Sequence, residues 1–163
     1  MKKRVFLLVN TVIILLLTSC AVFKTEPRSE AEINALVTKL ERAEFKFTTD
    51  YAIPTGKFQA RRLTSIYDVR ITPDTIYSHL PYFGEAYIAP YNPTGSPLSF
   101  ESTNFSYNFS PGTKKGSWYI SIQLHDTPQP ITYFFTVWDN GSVYLDVSSR
   151  ARKSISFKGE IEE

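Results

Sequence analysis

Alternation of apolar and polar residues dominates this chain. From residue 45 the period is two: Phe45, Phe47 and Tyr51 face one way, and Lys46, Thr48 and Asp50 the other. That is the pattern of a strand with one side on a core. It returns more regularly later, with Trp118, Ile120, Ile122 and Leu124 set against Tyr119, Ser121, Gln123 and His125. A further strand is predicted over 131–138. The Asn140-Gly141 pair that follows is a strong hairpin signal, and Val143, Leu145 and Val147 read as the returning strand. Shorter strands are expected over 58–62, 66–72, 75–80, 98–101, 105–109 and 155–161. Turns are expected at Thr55-Gly56, at Pro73-Asp74, over 111–116 and at the basic stretch 150–153.

One segment has helical period. Ile33, Leu36, Val37 and Leu40 share a helix face, and Ser29 and Glu32 stand at the spacing of a capping box. The expectation is one helix over 30–43, packed by its apolar stripe on the domain. Nine or ten strands with tight turns and a single N-terminal helix define an all-β, mainly antiparallel fold. The regular strand–turn–strand order favours a lipocalin-like up-and-down β-barrel, and a two-sheet β-sandwich is the alternative.

The N-terminus changes the picture. Lys2, Lys3 and Arg4 precede an almost wholly apolar run over 5–17, which reads as a signal peptide rather than a membrane span. Leu17-Thr18-Ser19-Cys20 resembles the bacterial lipobox, in which cleavage before the cysteine exposes a thiol that carries diacylglycerol. Cys20 is the one cysteine of the chain, so it has no internal disulfide partner. The expected organisation is a lipoprotein signal peptide over 1–19, a tether over 20–28 and one domain over 29–163. The anchor holds the protein on a membrane through the lipid on Cys20. The absence of an acidic run after Cys20 favours the periplasmic face of an outer membrane. The whole chain carries 18 Lys+Arg and 16 Asp+Glu; without Lys2, Lys3 and Arg4 the count is 15 against 16, a net charge of −1. Such a domain has no electrostatic footprint for nucleic acid.

Candidate chemistry is sparse. His79 and His125 are isolated, no Gly-x-Ser-x-Gly elbow or phosphate loop is present, and no cofactor or metal site is expected. Aromatic residues are abundant instead, with ten Tyr and twelve Phe. They concentrate in Leu80-Pro81-Tyr82-Phe83-Gly84-Glu85-Ala86-Tyr87-Ile88-Ala89-Pro90-Tyr91, a stretch too irregular for helix and too rich in breakers for strand. Two readings stand for it. It is a plug or corner folded over one end of the core, or it is a rim where Tyr82, Phe83, Tyr87 and Tyr91 meet a ligand or partner and Gly84 permits a tight turn. Glu85 is expected to point to solvent or to pair with a basic residue such as Arg61, Arg62, Arg150 or Arg152. Asp74-Thr75-Ile76 resembles a short acceptor motif for O-glycosylation.

Leu80-Pro81-Tyr82-Phe83-Gly84, followed by Ala86-Tyr87 and Ala89-Pro90-Tyr91, resembles the signature of the DUF4251 proteins, exported lipoproteins of Bacteroidetes with no assigned function. The resemblance spans 51–160. It takes in Asp68-Val69-Arg70-Ile71, Leu98-Ser99-Phe100, Ser148-Ser149-Arg150 and Ile155-Ser156-Phe157-Lys158-Gly159. It implies a lipocalin-like barrel, no activity and no cofactor. It places a basic or small residue where Glu85 stands, which argues against a shared catalytic role for Glu85. The functional expectation is a non-enzymatic envelope lipoprotein whose barrel binds a small apolar or amphipathic ligand or an envelope partner. A filled barrel acting as a protein-interaction module is the second reading, and a hydrolase of an envelope polymer the third.

Overall fold

The computed structural model describes residues 28–88 and 95–162. Helix α1 (Glu30–Glu41) comes first, and its N-terminus is held by the expected capping box. The Glu32 amide donates to Ser29 Oγ at 3.3 Å, and the Ser29 amide donates back to Glu32 Oε2 at 2.7 Å. Such a cap contributes about 1 kcal/mol. The Ser29 hydroxyl, donating to Glu32 Oε2 at 2.8 Å, and the Ser29 amide together hold the Glu32 carboxyl below its ordinary pKa. The helix ends two residues earlier than the periodicity suggests, because Ala43 turns the chain at a φ of 54°. Leu36 and Leu40 are its buried side chains.

Nine strands follow: β1 (Phe45–Pro54), β2 (Arg61–Ile71), β3 (Ile76–Leu80), β4 (Leu98–Ser102), β5 (Phe105–Pro111), β6 (Ser117–Leu124), β7 (Ile131–Trp138), β8 (Ser142–Ser149) and β9 (Arg152–Ile161). They form one sheet in the order β4-β3-β2-β1-β9-β8-β7-β6-β5, with every pairing antiparallel. Following the alternation of direction around this order, β4 and β5 run the same way. Thr103 and Asn104 alone separate them, so they act as one bent strand whose first half pairs with β3 and second half with β6. The architecture is a nearly closed up-and-down β-barrel.

The corner between β4 and β5 is fixed by a carboxylate. Asp126, from the β6–β7 loop, accepts from Ser102 Oγ at 2.6 Å, from the Thr103 amide at 2.9 Å and from the Asn104 amide at 3.1 Å. These bonds hold its pKa below the ordinary carboxylate value, with the Ser102 hydroxyl the largest cause.

Two expectations are corrected by register. The separate strands expected over 58–62 and 66–72 are a single β2. Between Thr49↔Tyr67 and Tyr51↔Arg62 its ladder slips, so extra β2 residues bulge against β1 and Ile66 stands 76% exposed. The same irregularity reverses the end of β1. Tyr51, expected to face inward, is exposed, and Ala52 and Pro54 take the interior side. On the β9 side of this bulge a Cβ on Gly159 would sit 1.9 Å from the Thr48 carbonyl oxygen, so the close approach of the two backbones requires glycine. The turn expected over 150–153 is shorter than predicted, since β9 already begins at Arg152.

The barrel interior is filled. Phe47, Tyr133, Phe135 and Phe157 are each 0% exposed. Phe135 is the hub, with edge-on contacts to Phe45, Phe47 and Tyr133 at centroid distances of 5.9, 5.7 and 6.2 Å. Phe100 of β4 reaches Tyr133 from the far wall at 6.2 Å. The one polar group of this cluster is satisfied: Ser78 Oγ donates to the Leu98 carbonyl and lies 2.7 Å from Tyr133 Oη, which therefore donates to it. Burial pushes the Tyr133 phenol pKa up. At one end α1 closes the barrel, with Leu40 buried and Tyr107 Oη donating to the Leu40 carbonyl at 2.5 Å.

Candidate functional site

The other end of the barrel is closed by the segment that the sequence singles out. From Leu80 at the end of β3, residues 81–88 cross toward the turn between β8 and β9. The antiparallel order places the end of β1 and the start of β2 between those points, so the segment spans the barrel mouth. Proline and glycine prevent a regular ladder, but three main-chain bonds tie it down. The Tyr87 and Ile88 amides both donate to the Ala151 carbonyl, at 2.8 and 3.2 Å, and the Lys153 amide donates to the Glu85 carbonyl at 3.0 Å. Ala86 and Arg152 form an isolated antiparallel bridge.

Side chains reinforce this strap. Pro81 is buried, and Tyr82 and Phe83 pack partly buried against the core. Tyr82 Oη lies 2.9 Å from the Lys153 carbonyl and 3.0 Å from the Glu85 carbonyl, so it bridges the strap to β9. The Arg152 guanidinium sits 5.3 Å from the centroid of the Tyr82 ring. Burial raises the Tyr82 pKa, and the Arg152 charge opposes the rise. The Arg61 guanidinium, at the start of β2, lies 4.4 Å over the Phe83 ring. Gly84 gives room to the Tyr82 hydroxyl rather than a left-handed turn, since a Cβ there would lie 2.6 Å from that hydroxyl and displace it. Glu85 pairs with Lys153 at 2.6 Å, not with any of the four expected arginines. That hydrogen bond is the main cause that holds the Lys153 pKa above its ordinary value.

The predicted rim therefore divides. Tyr82, Phe83 and Gly84 belong to the closure of the barrel. Tyr87 and Ile88 face solvent at 63% and 49% exposure, although their backbone is fixed by Ala151. Tyr91 and Cys20 lie outside the described residues. Arg61 and Arg152, expected as candidate partners of Glu85, instead lie against Phe83 and Tyr82, and Ala151 and Lys153, which complete the strap, were not singled out by sequence. They sit at strand ends, where no periodicity marks a partner.

The histidines stay apart. His125 Nε2 lies 2.9 Å from Ser106 Oγ on the surface. His79 is on the outer face of β3, where strand register places it beside Asp68 of β2 and Ser99 of β4. Asp68, His79 and Ser99 are the residue types of a nucleophilic triad, but among the described residues no hydrogen bond joins them. Asp68 instead faces Lys46 at 3.4 Å, and the His79 ring lies against Tyr67 at 5.3 Å. Among the described residues there is no group of His, Cys, Asp and Glu placed to hold a metal ion, and no helix long and apolar enough to cross a membrane.

The comparisons with known proteins agree with this fold. The family model described as "Domain of unknown function (DUF4251)" matches residues 27–161. A crystal structure of a DUF4251 family protein from Bacteroides eggerthii DSM 20697 superposes with a TM-score of 0.56 at 14% sequence identity, covering 80% of this chain and 87% of that one. That likeness is one of fold. No curated protein matches the chain.

Proposed function

The chain belongs to the DUF4251 family, and from that premise we propose that it is a non-enzymatic cell-envelope lipoprotein, anchored through Cys20, that recognises an envelope partner with the outside of a filled barrel. The observation that carries this reading is the interior. Tyr133, Phe135, Phe47 and Phe157 occupy the space where a ligand-binding barrel would hold its cargo, and each is fully buried. The helix and the strap cover the two ends. Recognition then falls to outward side chains. The strap offers two of them, Tyr87 and Ile88, presented from a backbone fixed by hydrogen bonds. Pre-ordered apolar groups of this kind lose little entropy on meeting a protein surface. The anchor rests on the lipobox-like Leu17-Thr18-Ser19-Cys20 and the apolar run before it.

Membrane fractionation combined with native mass spectrometry tests both halves of the proposal. The full chain, expressed in a lipoprotein-processing bacterium, is expected in the membrane fraction with the mass of a diacylglyceryl cysteine. Cys20→Ala is expected to leave that fraction. The Cys20→Ala protein is expected to fly without a bound small molecule. A co-purified lipid or metabolite that leaves on denaturation would restore the reading of a ligand held in the lumen.

A further inference from the structure

We infer that the outer wall of β2, β3 and β4 carries a binding shelf for a neutral saccharide. Strand register lays two rows of side chains across these strands. Asp68, His79 and Ser99 form one row, and Arg70, Tyr77 and Glu101 the other. All six line a single concavity of about 350 Å³, within the size range of small-ligand sites. It lies on the opposite side of the barrel wall from the filled core: Ile76, Ser78 and Leu80 of β3 point inward, whereas Tyr77 and His79 point out.

The composition selects the ligand class. Tyr77, 44% exposed, stands at the centre of the shelf, and the Arg70 guanidinium lies over its ring, 6.0 Å from the centroid. Two residues along β3, the His79 ring is steadied by Tyr67 at 5.3 Å. A pyranose presents an apolar C–H face that stacks on such rings, and a rim of hydroxyls that each both donate and accept. The shelf surrounds its rings with both kinds of partner. Arg70 supplies donors only, Asp68 and Glu101 supply acceptors, and Ser99 and His79 supply either. Its charge is net negative: Asp68 and Glu101 outnumber Arg70 within the shelf, and Lys46 at its border is shared between Asp68 at 3.4 Å and Glu162 at 3.0 Å. Such a surface disfavours an acidic glycan, whereas a neutral polyol meets no repulsion.

The purified full chain is tested on a printed array of neutral and acidic oligosaccharides, and its strongest ligand is then titrated calorimetrically. Binding to neutral pyranose oligosaccharides is expected. Tyr77→Ala and Arg70→Ala are each expected to lower affinity by about tenfold or more. Phe134→Ala, which removes an exposed aromatic from the outer face of β7, is expected to leave affinity unchanged. Thermal melting of each variant checks that the barrel is intact. An array with no neutral ligand, binding confined to acidic glycans, or a folded Tyr77→Ala protein that binds as wild type would each overturn the shelf.

Discussion

β7 and β4 each turn an aromatic ring toward the core and otherwise behave as opposites. β7 is paired along its whole length on both sides, from Ser117↔Trp138 to Leu124↔Ile131 with β6 and from Ile131↔Ser149 to Val137↔Val143 with β8. Its burial alternates without a break, and Tyr133 and Phe135 occupy the middle of the core. β4 has five residues, pairs with β3 alone, and keeps Phe100 only partly buried. The regular wall, β6 to β8, supplies the packing that defines the barrel. The irregular wall, β2 to β4 with the strap, is where the ladder slips, the strand changes partner and Asp68, Arg70 and His79 face outward. Irregular backbone is tolerated there because the core has already been secured by the other wall.

The largest test of this contrast compares two aromatic truncations. Phe135→Ala removes the ring that touches Phe45, Phe47 and Tyr133, and is expected to cost about 3–5 kcal/mol. Against a typical total of about 5–15 kcal/mol, that leaves the protein near its folding threshold. Phe100→Ala, on β4, is expected to cost about 1–2 kcal/mol, because the ring is partly exposed and the site can relax. Urea unfolding of both variants measures the difference. Equal losses would show that the two walls share the stability evenly.

A smaller effect separates the strap from the regular wall. Tyr82→Phe keeps the ring beside Arg152 and removes only the hydroxyl that lies 2.9 Å from the Lys153 carbonyl and 3.0 Å from that of Glu85. The expected loss is about 1 kcal/mol, felt locally. Hydrogen exchange should then quicken about fivefold at the Tyr87, Ile88 and Lys153 amides and stay unchanged in β6 to β8. Uniform acceleration would mean that the strap opens only when the whole barrel does.

The same contrast governs what could be read from the sequence. The capping box at Ser29 and Glu32, the strands of the regular wall and the hairpin at Asn140-Gly141 follow from local rules, and each stands where those rules put it. The expected closure by residues 80–91 was legible as a cluster of breakers and aromatics, and its plug reading describes Tyr82 and Phe83. What escaped was long-range. Tyr51 continues the period set by Phe45 and Phe47, but the bulge beside Gly159 turns it outward, and no feature near Tyr51 announces that. Glu85 finds Lys153 because β9 begins three residues earlier than its apolar pattern. The shelf was invisible for a related reason: Asp68, His79 and Ser99 come from three strands, and only register makes them neighbours.

The smallest expected effect lies at the corner where β4 hands over to β5, and it depends on pH. Asp126 accepts from the Ser102 hydroxyl and from the Thr103 and Asn104 amides, and these bonds lower its pKa in the folded state. A depressed carboxyl contributes stability above its unfolded value and loses it as pH falls through the folded one. The contribution is therefore present at neutral pH and fades below about pH 4. The carboxylate is exposed, so the effect of Asp126→Asn at pH 7 is expected not to exceed about 1 kcal/mol. Chemical unfolding of wild type and variant at a series of pH values from 7 downward should give a gap that is present at neutral pH and closes as the carboxyl is protonated. A gap that stays constant to the acid end of the series would mean that the corner is held by the shape of the side chain. Convergence would assign the bend to charge-assisted hydrogen bonds, and would make the corner where β4 hands over to β5 sensitive to acid.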